Sequence, residues 1–267
     1  MKILACLKIV PDLDMIAQED WVADAQLQVD VNYGKLMWNC FEEGALEMML
    51  KLSDLSESFD VVYELRALTI GEKKSESFLK TLYALGFAET IRIQTEADLR
   101  FCPSVVADMI VDYVKNQQMQ DLLVFGTQST DGSNQKTPML VAEALGCPCI
   151  TQVIDMQPVD ETHIQIVHQE DGKQITQVIA LPCVVAVGNA VCSYLRIPTL
   201  KDKMRLGKKP IICIEKQLPQ DFIGDAELVS LQCIQQDRES VLLSGESVEE
   251  IGEKLFQQYL KERLSPR

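Results

Sequence analysis

Short unbroken apolar runs alternate along this chain with segments whose apolar residues recur every three or four positions. These are the periods of strands buried on both faces and of helices lying on them. Ile3 to Val10 is the first run, ended by Pro11-Asp12, and a polar, weakly patterned loop or hairpin follows from roughly Asp14 to Lys35, with Asn32-Tyr33-Gly34 as its turn. Asn39 is the predicted cap of a helix whose apolar face is Phe41, Ala45, Leu46, Met49, Leu50 and Leu52. Val61 to Ile70 then reads as a strand with Gly71 at its end, Ser75 to Leu85 as a helix closed by Gly86, and Thr90 to Ile93 as a strand. Pro103 to Lys115 is a helix with Val106, Ile110 and Val114 inward, and Leu122 to Phe125, stopped by Gly126, is the fourth strand. From Thr127 to Thr137 every side chain is polar or absent. Thr137-Pro138 has the order of an N-cap followed by proline at the first helical position, and the helix beyond it ends at Gly146.

Strands and helices alternating at this spacing predict a doubly wound, mostly parallel, Rossmann-like α/β sheet. After Thr151 the pattern changes. His163 to Val167 and Gln174 to Ala180 form a predicted antiparallel pair about Glu170-Asp171-Gly172, and Val184 to Val187 is a further buried strand. Residues 188–198 lack periodicity, Thr199 to Arg205 is a short helix, and the segment Lys201 to Lys209 is basic. Beyond Pro210 the chain reads as a long arm ending in an amphipathic helix, Ser247 to Leu264, with Val248, Ile251, Leu255, Tyr259 and Leu260 on one face. The predicted organisation is an α/β domain over 1–210, with a hairpin addition at about 152–181, and a C-terminal arm over 211–267.

Composition narrows the chemistry. A chain of 267 residues with 47% hydrophobic content fills a real core, and a formal charge of -15 argues against nucleic acid as a partner. No stretch approaches transmembrane length and the N-terminal apolar run lacks the form of a signal peptide, so a cytoplasmic protein without membrane insertion is expected. Nine cysteines are scattered through apolar segments. The one close pair, Cys147-Pro-Cys149, has no second pair to complete a metal site, and most are expected to be small core residues in a reducing compartment. The two histidines, His163 and His168, are five apart in a strand and so fall on opposite faces, which disfavours a shared metal or a histidine-based triad.

The polar loop after the fourth strand carries Ser129, Thr130, Asp131, Ser133, Asn134 and Gln135 and leads into a helix N-terminus, a natural seat for a nucleotide phosphate. Neither a Walker A pattern nor G-x-G-x-x-G is present. Ligands of doubly wound sheets sit at the carboxyl ends of strands, so three loops become candidates to share one site: Cys6 to Asp12, Thr69 to Glu72 and Gly126 to Thr137.

At this point the residues resemble a known family. Leu7-Lys-Ile-Val-Pro-Asp12, Asn39-Cys-Phe-Glu-Glu-Gly-Ala-Leu-Glu47, Ile70-Gly71 with Ala84-Leu-Gly86, Phe125-Gly-Thr-Gln-Ser-Thr-Asp-Gly132, and Leu181-Pro-Cys-Val-Val185 with Arg196-Ile-Pro-Thr-Leu200 and Gly207-Lys-Lys-Pro210 are similar, in order and spacing, to the β subunit of electron transfer flavoproteins. The resemblance implies an adenine-nucleotide α-hydrolase-like sheet and a heterodimer whose α subunit carries most of the redox FAD site. It implies that the β subunit holds AMP or, in electron-bifurcating members, a second FAD. The matching cofactor positions are Cys6, Asn39, Thr69, Ile70, Gly71, Gly126, Gln128, Asp131, Asn134, Gln135 and Thr137, and the loop chemistry adds Ser129. Leu13 matches a position bordering the α-subunit flavin. The 189–200 loop, with Val191, Cys192, Tyr194, Leu195 and Arg196, matches the segment that docks a flavin dehydrogenase such as an acyl-CoA dehydrogenase, and the C-terminal arm one that wraps the α subunit. Thr127 stands where many members carry lysine, and Cys192 where some carry leucine.

Four functions follow as expectations. The first is an electron-carrier subunit with no catalytic side chains of its own, and the second an FAD-binding bifurcating subunit using NADH. The third, an ATP-using adenylating enzyme, conflicts with Lys8-Ile-Val-Pro-Asp12 where a Ser-Gly-Gly-x-Asp type loop belongs. The fourth is a nucleotide-sensing module without electron transfer.

Overall fold

The computed structural model describes residues 1–95, 98–218, 226, 228–233 and 240–264. Parts of the C-terminal arm, 219–225, 227, 234–239 and 265–267, lie outside the described residues. Two compact units are formed, Met1–Leu231 and Gln232–Arg267.

In the first unit the strands are β1 (Lys2–Leu7), β2 (Ile9–Pro11), β3 (Leu36–Trp38), β4 (Glu64–Ile70), β5 (Glu89–Gln94), β6 (Leu122–Gly126), β7 (Cys149–Pro158), β8 (His163–Glu170), β9 (Lys173–Ala180), β10 (Cys183–Val187) and β11 (Ile212–Glu215). The helices are α1 (Cys40–Asp54), the single turn α2 (Ser56–Phe59), α3 (Glu76–Ala84), α4 (Pro103–Asn116), α5 (Thr137–Leu145) and α6 (Leu200–Leu206). Nine strands make one sheet in the order β11-β5-β4-β1-β6-β10-β7-β8-β9, parallel from β11 to β7 and antiparallel from β7 through β9. This is the doubly wound α/β sheet with an added hairpin that the sequence predicts.

Alternate residues of each central strand serve two cores, because side chains along a strand point to opposite faces. Ile3, Ala5 and Leu7 of β1 pack with Leu46 and Met49 of α1 and Leu79 and Leu82 of α3. Leu4 and Cys6 pack on the other face with Ile110 and Val114 of α4 and Val141 of α5.

Several elements differ from the sequence reading. The first apolar run is two strands. It breaks at Lys8, where β1 leaves the main sheet, and β2 pairs antiparallel with β3 to form a separate two-stranded sheet. The Glu64 start of β4 lies three residues later than predicted, since the turn after α2 takes Val61, whose N–H donates to the Ser56 carbonyl at 3.1 Å. β7 is a ten-residue strand that joins the parallel sheet to the hairpin, with register shifts opposite both neighbours. β11, at the start of the segment read as an arm, is the edge strand beside β5.

In the second unit Ser247 caps helix α7 (Val248–Leu255), its hydroxyl accepting from the Glu250 N–H at 3.2 Å. A π-type turn, Phe256–Leu260, continues into helix α8 (Lys261–Leu264). Val248, Leu255, Phe256 and Leu264 are exposed along this helical stretch.

Candidate functional site

The chain order reverses between β1 and β6, the place where the crevice of a doubly wound sheet receives its ligand. From β1 the sheet runs to β4 and β5 on one side and to β6 and β10 on the other, so the connections leaving β1 and β6 diverge at their carboxyl ends. Register aligns those ends: Leu7 lies beside Thr69, Cys6 beside Phe125, and Gly126 beside Val187.

Helix α1 starts at this crevice. Asn39, its N-cap residue, is fully buried; its carbonyl accepts from the Glu43 N–H at 3.1 Å, but its side chain makes no capping bond to the helix. Its Nδ2 donates instead to the Gln128 carbonyl at 2.7 Å and to the Glu42 carboxylate, and its Oδ1 accepts from the Thr130 N–H at 3.1 Å. Three of its hydrogen-bonding positions are taken by protein, so Asn39 positions the loop. Lys8 adds a second tie, its ammonium 2.6 Å from Asp131. Partial burial alone would raise the Asp131 carboxyl, but Lys8 and the Ser129 hydroxyl outweigh it and hold the group below its ordinary value.

The loop itself is exposed from Thr130 to Lys136. Ser133 and Gln135 take left-handed backbone conformations, φ 46° and 57°, which turn successive N–H groups out of the usual alternation. The Ser129 carbonyl accepts from both the N–H and the hydroxyl of Ser133 at 3.0 and 2.9 Å, Gln128 Oε1 accepts from the Gln135 amide, and Asn134 Oδ1 accepts from the Lys136 N–H at 3.0 Å. Thr137 is the first residue of α5, half-buried. The N-cap position belongs to Lys136, which gives no side-chain cap. The helix therefore begins one residue earlier than Thr137-Pro138 predicts, behind the turn in which Asn134 Oδ1 takes the Lys136 N–H. An uncapped helix start preceded by an exposed, irregular loop suits an anionic group.

The other predicted positions surround this loop. Gly126 is buried where a Cβ would stand 2.6 Å from Glu42 Oε2 and 2.9 Å from Phe41 Cβ, so only glycine lets α1 come this close. The Cys6 side chain points into the core beneath α4 and α5, and burial holds its thiol far above the usual range. Thr69 is buried, with Ile70 and Gly71 half-exposed at the end of β4. The Gly71 N–H donates to the Ile93 carbonyl at 3.0 Å, and its carbonyl accepts from buried Arg92 at 3.2 Å. Leu13 is half-buried in a single 3-10 turn, Leu13–Met15, whose Asp14 N–H is capped by Asp12 at 3.3 Å.

The 189–200 loop is fastened to the same helix. Arg196 donates from Nε and its guanidinium NH2 to Glu47 at 3.0 and 2.7 Å, its backbone N–H donates to Glu47 at 3.0 Å, and NH2 also reaches Asp54 at 2.8 Å. These two carboxylates raise the Arg196 pKa. Ala190 and Cys192 sit against Gly44, and Leu195 packs on the core. Cys192 is half-buried, while Val191 and Tyr194 are exposed. Of the five positions expected from the sequence to dock a partner, Arg196 and Leu195 serve the loop's own seating.

Sequence reasoning did not single out Glu42, Lys8 or Glu47. Glu42 had a signal: Asn39-x-x-Glu42 has capping-box spacing, although here the two side chains bond each other. No such pattern marks Lys8 or Glu47, whose partners are distant in sequence. Both histidines lie in β8, and among the described residues no cluster of His, Cys, Asp or Glu could hold a metal ion.

Residues 52–218 match the family model of the electron transfer flavoprotein domain. The chain is 34% identical to the "Putative electron transfer flavoprotein subunit YgcR" of Escherichia coli (strain K12), with the whole of both chains covered. It is 24% identical to the electron transfer flavoprotein subunit beta of Bacillus subtilis (strain 168), over 70% of this chain and 73% of the relative. It is also 23% identical to the caffeyl-CoA reductase-Etf complex subunit CarD of Acetobacterium woodii, over 80% of this chain and 82% of that one.

Proposed function

The chain belongs to the electron transfer flavoprotein β-subunit family, and from that premise we propose that it binds an adenine nucleotide, AMP, in the crevice between β1 and β6. The observation that carries this reading is the loop after β6, held open at the switch point by Asn39 and Lys8 and ending at an uncapped helix start. Backbone N–H groups of the loop between Gln128 and Thr137, other than those of Thr130, Ser133 and Lys136 that the protein itself engages, would receive the phosphate, and the strand ends at Thr69–Gly71 and Cys6–Leu7 would border the base and ribose.

The partner is an α subunit carrying FAD. FAD supplies the redox chemistry when bound, and this chain supplies no catalytic side chain of its own. Leu13, half-exposed on its turn, would add apolar contact beside that flavin. The exposed tips Val191 and Tyr194 would meet a flavin dehydrogenase, and the apolar side chains of the C-terminal helix the α subunit. Among the described residues no helix is long and apolar enough to cross a membrane.

Co-expression with the α chain, followed by release and counting of bound nucleotides, tests the proposal. One FAD and one AMP per pair is the expected result. Two FAD without AMP would instead assign the crevice to a second flavin and favour the bifurcating function. No complex and no flavin would overturn both.

A further inference from the structure

The Asn39 amide can hold the loop in only one of its two orientations. Nδ2 must face the Gln128 carbonyl and Oδ1 the Thr130 N–H, and a flipped amide would set acceptor against acceptor and donor against donor. Glu42 adds to that selection when it is ionised. An ionised carboxylate only accepts, so it takes the amide N–H and rejects the amide oxygen, whereas a protonated carboxyl can satisfy either.

The surroundings of Glu42 make that choice matter. The side chain is buried, faces the close approach to Gly126, and receives hydrogen bonds from Asn39 and from the Lys8 backbone. The charged side chain acting on it from the strand side is Lys8, whose ammonium is shared with Asp131 of the loop. Glu43, next on α1, is half-buried and its carboxyl is raised by burial.

We propose that Glu42 is a proton-controlled positioning residue for the nucleotide loop: as a carboxylate it strengthens the lock of the Asn39 amide onto Gln128 and Thr130, and on protonation it withdraws its share of that lock. Burial pushes this carboxyl up to about 7, against the opposing pull of the Asn39 hydrogen bond and Lys8. The lock is therefore set above neutral pH and loosened below it. Its consequence for affinity rests on the nucleotide reading above: a locked loop is preorganised, so AMP binds better with Glu42 ionised.

The test follows the Thr130 amide by NMR in the αβ complex between pH 5.5 and 8.5, in wild type and Glu42→Gln, with AMP affinity measured in parallel. In wild type the Thr130 resonance is expected to titrate with a midpoint near 7, and in Glu42→Gln to stay flat. The ratio of wild-type to Glu42→Gln affinity for AMP is expected to rise severalfold across that range, a comparison in which titration of AMP itself cancels. A flat Thr130 resonance in wild type, the same titration in the variant, or a ratio that falls with pH would overturn the proposal. Failure of both proteins to bind AMP at any pH would sink the nucleotide reading, while the Thr130 titration alone would still decide for or against the lock.

Discussion

The loop after β6 and the loop after β10 leave neighbouring parallel strands and are both fastened to α1, yet they are built on opposite plans. The first is polar and exposed, and it is held by a fully buried neutral amide, Asn39, and by the partly exposed Lys8–Asp131 ion pair. The second turns its charge inward, Arg196 onto Glu47 and Asp54, and leaves Val191, Tyr194 and Ile197 about 80, 78 and 87% exposed. On the proposed reading, a loop that receives a small anion keeps main-chain N–H groups for it beyond those of Thr130, Ser133 and Lys136, whereas one that docks a protein keeps apolar side chains exposed. Helix α1 serves both, with Asn39 and Glu42 at its start and Gly44, Glu47 and Asp54 further along.

If the first loop depends on α1 as described, its attachment is where the largest effects lie. Glu42 has a native carboxyl near 7 against an ordinary 4.5, so between those values the native state keeps a proton that the unfolded chain has released. Its contribution to stability is complete below pH 4.5 and is lost as pH rises through 7. Denaturant titrations should therefore find Glu42→Gln more stable than wild type at pH 8, by on the order of 3 kcal/mol, and nearly equal at pH 5. Asn39→Ala would leave the Thr130 N–H and the Gln128 carbonyl without their partner. It should cost roughly 2–3 kcal/mol in urea unfolding and reduce bound AMP in the purified complex.

The 189–200 loop should respond less. Arg196 is partly solvated, so Arg196→Ala should lower stability by about 1 kcal/mol, measured in the same way. It should also make residues 189–199 sensitive to protease without changing the AMP content. Equal loss of AMP from this variant would break the distinction between the two loops. Smallest of all, Tyr194→Ala should change stability by less than about 0.5 kcal/mol. Its effect should appear in slower electron transfer to or from the partner dehydrogenase.

Much of this arrangement is legible in the sequence because its local signals agree. Leu122 to Phe125 read as a buried strand, and Gly146 and Ser247 marked a helix end and a helix start that the structure retains. The misreadings arise where distant contacts override local pattern. Ile9 and Val10 continue the apolar run of β1, but at the switch point the chain turns away to meet Leu36–Trp38. β11 has only four residues and gains its place from pairing with β5, more than a hundred residues earlier. Asn39 was legible as a cap, but its real partners, Gln128 and Thr130, lie 89 and 91 residues away, and no periodicity announces them. The polar residue types of the loop after β6 were readable; where each side chain places its hydrogen bonds was not.

Hydrogen–deuterium exchange of the αβ complex, stripped of AMP and then reloaded with it, tests the central claim most directly. The account predicts slower exchange on loading within Gln128 to Thr137 and around Gly71, with residues 189–199 unchanged. Protection confined to the 189–199 loop, or no change at Gln128 to Thr137 while AMP is demonstrably bound, would contradict it.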